Sequence, residues 1–134
     1  MARWILALLM ALPAAPAAAQ APFTTAEEVR PILAATRAQW VALREFGGQD
    51  LLYFTHLAVM RCGLAGVSLS LDGAPEAALP LEPCHHGTAQ PNAIRGEPWI
   101  ARPPGSIGKL RVTVRYPDGT TDSVELTRAM MLMP

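Results

Sequence analysis

The sequence predicts a mainly β domain: a small antiparallel two-layer sandwich of immunoglobulin-like kind, or a partly open barrel, with one short N-terminal helix. Three observations carry this. Between 109 and 127, Leu110, Val112, Val114 and Tyr116 alternate with Lys109, Arg111, Thr113 and Arg115; after Pro117-Asp118-Gly119, Val124 and Leu126 alternate with Ser123, Glu125 and Thr127. Period 2 marks a half-buried strand, and a turn with Pro at its start and Gly at its end supplies the torsions that close a hairpin. A second group of strand-like segments lies upstream, an apolar run at 51–60 and then Val67, Leu69 and Leu71 alternating with Ser68 and Ser70. Turn chemistry separates these segments at 47–50, 72–73, 103–105 and 117–119, as expected of about six short strands in a sandwich or barrel.

The chain opens with Arg3, an apolar run at 4–12, Pro13, and a tail ending Ala17-Ala18-Ala19. One positive charge, a short hydrophobic stretch and an A-x-A site predict a secretory signal peptide over residues 1–19. A membrane-spanning helix needs roughly 20 apolar residues, and this run breaks at Pro13. Cleavage after Ala19 is preferred to cleavage after Ala21, where Pro22 would sit directly behind the scissile bond. What remains, 20–134, is one domain's worth of chain. The 51% hydrophobic content is inflated by the leader and does not argue for a membrane protein.

Within the mature chain, Thr25-Ala26-Glu27-Glu28 has capping-box spacing. Val29, Ile32, Leu33 and Thr36 follow at i, i+3, i+4 and i+7, so a short helix is expected over about 25–37, with Pro31, which removes one backbone bond, as the point where it would kink. The segment 40–46 followed by Gly47-Gly48-Gln49-Asp50 is a hairpin signal. The run 51–60 is apolar on both faces of a strand, which predicts a central, buried one. A buried helix is its rival, since Leu, Ala and Met favour helices. Segment 67–71 reads as a half-exposed strand. Pro80 and Pro83 forbid a central strand over 74–83, 83–97 reads as a long polar loop, and 99–101 as a short strand.

Lys and Arg number 11, as do Asp and Glu, with no long run of one sign. This balance offers no electrostatic footprint for nucleic acid or anionic lipid. The two cysteines, Cys62 and Cys84, both lie in the mature chain. An even count in an exported chain predicts a disulfide, here tying two neighbouring strands at one end.

Candidate chemistry gathers around Cys84-His85-His86. Histidine suits zinc and copper and thioether suits Cu(I), so His85 and His86, with His56 and the methionines Met60, Met130, Met131 and Met133, raise a periplasmic copper or zinc protein as one alternative. Adjacent histidines on extended backbone point to opposite sides, however, so no metal ligand is assigned. A cysteine-dependent hydrolase is a second alternative, because imidazole can activate a thiolate, but a bridged cysteine cannot attack. Asp50, Asp72, Asp118 and Asp122 lie in or beside turns, where a carboxylate ordinarily bonds local amides. The loop 83–97 remains. Long loops without secondary structure are often functional, and His85, His86, Gln90 and Asn92, with Trp99 at the following strand, offer a recognition surface. The expected function is an exported, non-catalytic binding or accessory domain without a cofactor, recognising a protein or envelope component through this loop.

The stretches WVALREFGGQDLLYFTHL at 40–57, EPC at 82–84, TAQPNAI at 88–94 and YPDGTTDS at 116–123 together resemble small uncharacterised exported proteins of Gram-negative bacteria. That resemblance implies a periplasmic or secreted location and brings no catalytic or ligand residue with it.

Overall fold

The computed structural model describes residues 10–14 and 21–134. Most of the expected leader and its cleavage site therefore lies outside the described residues. The first element is helix α1, Ala26–Ala35, begun by the predicted capping box: the Glu28 amide donates to Thr25 Oγ1 at 3.2 Å, and Thr25 Oγ1 donates to Glu28 Oε1 at 3.0 Å. Val29 and Leu33 are fully buried on its inner stripe, while Pro31 stays within the helix on the exposed side. A 3-10 turn, Arg37–Gln39, leads to Trp40, whose indole donates to Leu33 O at 3.0 Å.

Two antiparallel sheets follow, and they do not close into a barrel, so the sandwich is the form adopted. The first joins β1 (Ala42–Phe46), β2 (Gln49–Tyr53) and β5 (Trp99–Arg102) in the order β1-β2-β5. The second joins β3 (Gly66–Leu71), β4 (Ala77–Ala78), β6 (Lys109–Arg115) and β7 (Thr121–Thr127) in the order β4-β3-β6-β7. Phe46 pairs with Gln49 across Gly47 and Gly48, whose φ angles of 62° and 72° are those a two-residue hairpin loop demands and glycine supplies. In the β6–β7 hairpin the Tyr116 amide donates to Thr120 O at 2.9 Å around Pro117, Asp118 and a Gly119 at φ 86°. The core lies between the sheets, with Leu43 and Leu52 from one, Val67, Leu69, Val112 and Val114 from the other, closed below by Val29, Leu33 and Trp40.

Two expectations need correction. The run 51–60 is not one strand: the ladder ends at Tyr53, and the chain coils into α2, Thr55–Ala58, and a 3-10 turn, Arg61–Gly63. The coil buries Leu57, Ala58 and Met60 on the core side, which a strand with alternating faces would not. The rival helical reading holds for its second half. The disulfide Cys62–Cys84 exists, with Cα atoms 5.1 Å apart, but it joins that 3-10 turn to the 83–97 loop rather than two strands. The turn presses against α1 so closely that a Cβ on Gly63 would lie 2.6 Å from Val29 and 2.7 Å from Thr25 O. Finally α3, Arg128–Met131, returns the chain to β1, where Leu132 bridges Leu43 in parallel and the Met133 amide donates to Leu43 O at 2.8 Å. That tail covers the outer edge of β1. Among the described residues no helix is long and apolar enough to cross a membrane.

Candidate functional site

The loop 83–97 has no helix or strand, as expected, yet it is tightly braced. Its hub is Arg61, 5% exposed at the start of the 3-10 turn. The guanidinium donates to the carbonyls of Ala58, Pro83, Asn92 and Ala93 over 2.8–3.3 Å and reaches Pro91 O at 3.5 Å. A planar fork of five N–H donors suits this duty, because each carbonyl meets a fixed direction. Beside it, Glu82 Oε1 accepts the amides of Arg95 and Gly96 at 2.7 and 3.0 Å, and Oε2 meets His85 Nε2 at 2.7 Å and Arg61 at 3.7 Å. The Gly96 amide first, then the Arg95 amide, His85 and Arg61, hold the Glu82 carboxyl down at about 2 against the opposing effect of burial.

This bracing absorbs part of the predicted site. Asn92 accepts the Cys62 amide at 3.0 Å and donates to Phe23 O at 2.9 Å, so it clamps the loop to the 3-10 turn and to the segment before α1. His85 is engaged by Glu82. His86 is exposed, its Nδ1 3.6 Å from Cys84 Sγ, and Gln90 is exposed at the loop tip. His56 lies elsewhere, its Nε2 2.8 Å from Thr36 Oγ1. The three histidines thus face three different partners, and among the described residues no group of three or more His, Cys, Asp or Glu is placed to hold a metal ion.

Trp99 leaves the loop altogether. It is the first residue of β5, opposite Tyr53, which is itself opposite Ala42. Residues directly opposite share a face, and Leu43 and Leu52 occupy the core face. The outer face of the first sheet therefore carries Ala42, Tyr53 and Trp99 in one row, Arg44, Leu51 and Ala101 in the next, and Phe46 and Gln49 beyond. The Tyr53 and Trp99 rings lie 5.5 Å apart, tilted by 41°. The Arg44 guanidinium sits 4.4 Å over the Phe46 ring, and Phe46 is 57% exposed. A cavity of about 400 Å³ continues this face past Ala42 and Tyr53 to His56 and Met133. The second sheet contrasts with it: its outer face pairs Ser70 with Arg111 and Arg111 with Glu125, the last two forming an ion pair at 2.9 Å.

Sequence reasoning also missed a second polar hub. Asp50 is fully buried at the start of β2; its oxygens accept the Gly105 and Ile107 amides at 3.1 and 3.2 Å and a two-pronged contact from Arg128 at 2.7 and 3.0 Å. Arg128 also reaches Glu45 at 2.6 Å. The Arg128 side chain above all holds the Asp50 carboxyl well below the usual carboxylate range. Of the four aspartates expected to bond local amides, Asp118 does so at Thr120, whereas Asp50 and Asp72 bond amides at 105–109 and Asp122 binds Arg37 besides the Ser123 amide. The chain matches no family model, no curated protein and no solved structure.

Proposed function

We propose that the chain is an exported, non-catalytic binding domain that recognises a component of the cell envelope, and that the outer face of the β1-β2-β5 sheet, with Trp99, is its recognition surface. The observation that carries this is the composition of that face. A sandwich sheet turned to water normally shows polar residues there, as the second sheet does, but here an exposed Phe46, half-exposed Tyr53 and Trp99 and two alanines surround a buried Leu51 with a single charge, Arg44. Contiguous apolar surface rimmed by polar groups is the usual mark of an interaction site. The 83–97 loop leads into β5 and is itself held by Arg61, Glu82, Asn92 and the disulfide.

The other readings have weaker support. The histidines diverge, and among the described residues no group of three or more His, Cys, Asp or Glu is placed for copper or zinc; both cysteines are committed to one another, which leaves a cysteine hydrolase without its nucleophile. The test is co-sedimentation of the purified domain with a Gram-negative envelope fraction. Phe46→Ser combined with Ala101→Arg, both at exposed positions, should lower the bound fraction at least tenfold and leave the melting temperature within a few degrees. Loss of binding in His86→Ala, Gln90→Ala instead would transfer recognition to the loop tip, and indifference to both double variants would end the proposal.

A further inference from the structure

The cavity at the His56 end of the aromatic face is lined by Ala42, Arg44, Tyr53, Thr55 and His56 among others. We infer that it takes an acidic sugar, a pyranose bearing a carboxylate, an inference that rests on the reading of this face as the recognition surface.

Three groups converge on that chemistry. Thr36 Oγ1 donates its one proton to Ile32 O at 2.7 Å, so toward His56 Nε2, 2.8 Å away, it can only accept. His56 is therefore protonated on Nε2 and bare on Nδ1. Among the described residues Nδ1 has no protein partner, and Tyr116 carries the only buried side-chain polar atom left unpaired, so Nδ1 opens to solvent as an acceptor for a ligand hydroxyl. Burial disfavours the imidazolium and keeps that acceptor available. The second group is Arg44, which lines the same cavity and, among the described residues, has the Phe46 ring but no carboxylate for company. A guanidinium resting on a ring and without an ion-pair partner is suited to a two-pronged contact with a carboxylate. The third is Tyr53, which lines the cavity and has Trp99 beside it outside the lining; an aromatic residue suits a ring with an apolar side and polar edges.

A pyranose carboxylate supplies all three complements at once: a C–H face, hydroxyls at the rim and one negative charge. An added peptide strand does not fit here, because the C-terminal tail already occupies the β1 edge. An anionic bilayer would call for several cations, and this face has one.

The experiment titrates the intact mature domain with a uronic-acid oligosaccharide and with its carboxyl-reduced neutral counterpart, following chemical shifts and heat of binding. The acidic probe should shift Tyr53, His56 and Trp99 and bind about tenfold more tightly than the neutral one. Arg44→Gln should erase that preference, and His56→Phe should weaken both probes with the fold retained by circular dichroism. Equal affinity for the two probes in the native chain, or no shifts at these residues, overturns the acidic sugar. If envelope binding then still depends on Phe46 and Ala101, the surface survives with a different ligand; if the face instead makes a concentration-dependent dimer that Ala101→Arg dissolves, a second copy of this chain is its occupant and the saccharide is refuted.

Discussion

A buried guanidinium is tolerated only when its donors are all answered, and Arg61 meets that condition by collecting carbonyls from a loop with no ladder of its own. Arg61→Met should cost roughly 3 kcal/mol, since the orphaned carbonyls lose their partners together. Arg61→Lys should restore little, because an ammonium cannot fan across five acceptors; urea unfolding of the two variants measures both. Glu82 predicts a pH effect. Its folded carboxyl titrates at about 2, below the ordinary 4.5, so the stabilisation is complete above about 4.5 and is lost as pH falls toward 2. Asp50 acts in the same direction. In Glu82→Gln the melting temperature should therefore fall less steeply between pH 5 and pH 2 than in the native chain. In the sequence Arg61 is a single charge closing an apolar run beside a cysteine. That position was the available hint, but nothing local says which carbonyls it meets.

Among the elements, the 109–127 hairpin was fully legible, because alternation and turn chemistry act between residues a few positions apart. Val112 is fully buried, and Val112→Asp should destabilise by roughly 4 kcal/mol or more, a large share of the ordinary margin of about 5–15 kcal/mol, read as a marked fall in the melting temperature. Thr113 faces outward, donating to Glu76 at 3.1 Å. An aspartate there would meet a like charge, so Thr113→Lys is the proper control and should leave the melting temperature nearly unchanged. Helix α1 was legible for the same local reason, down to the Thr25–Glu28 box. The run 51–60 was legible only in part. A segment apolar on every side satisfies a strand and a helix equally, and here the chain uses both, changing at Phe54, whose amide bonds Pro98 O at 2.8 Å.

For the whole molecule, the two sheets and the loop are joined by three long-range ties: the disulfide, the Arg61 hub and the Asp50–Arg128 contact. The disulfide closes a sequence separation of 22 residues, which restricts the unfolded chain by about 3 kcal/mol. Cys62→Ser with Cys84→Ser should lower the melting temperature accordingly. It should also expose the 83–97 loop to proteolysis before the β6–β7 hairpin, whose ladder does not pass through the bridge; the order of the first cleavages, read by mass spectrometry, checks this.

The sequence by itself determined the β class, the hairpins, the helix cap and the pairing of the cysteines, because each rests on spacing along the chain or, for two cysteines, on arithmetic. Only the tertiary structure decided that Asn92 is a clamp, that Asp50 meets Arg128 at a separation of 78 residues, and that Phe46, Tyr53 and Trp99 share one face. Those outcomes depend on sheet order and register, which bring distant segments together, and register between β2 and β5 is set across a connection of more than 40 residues whose course is written in no local pattern.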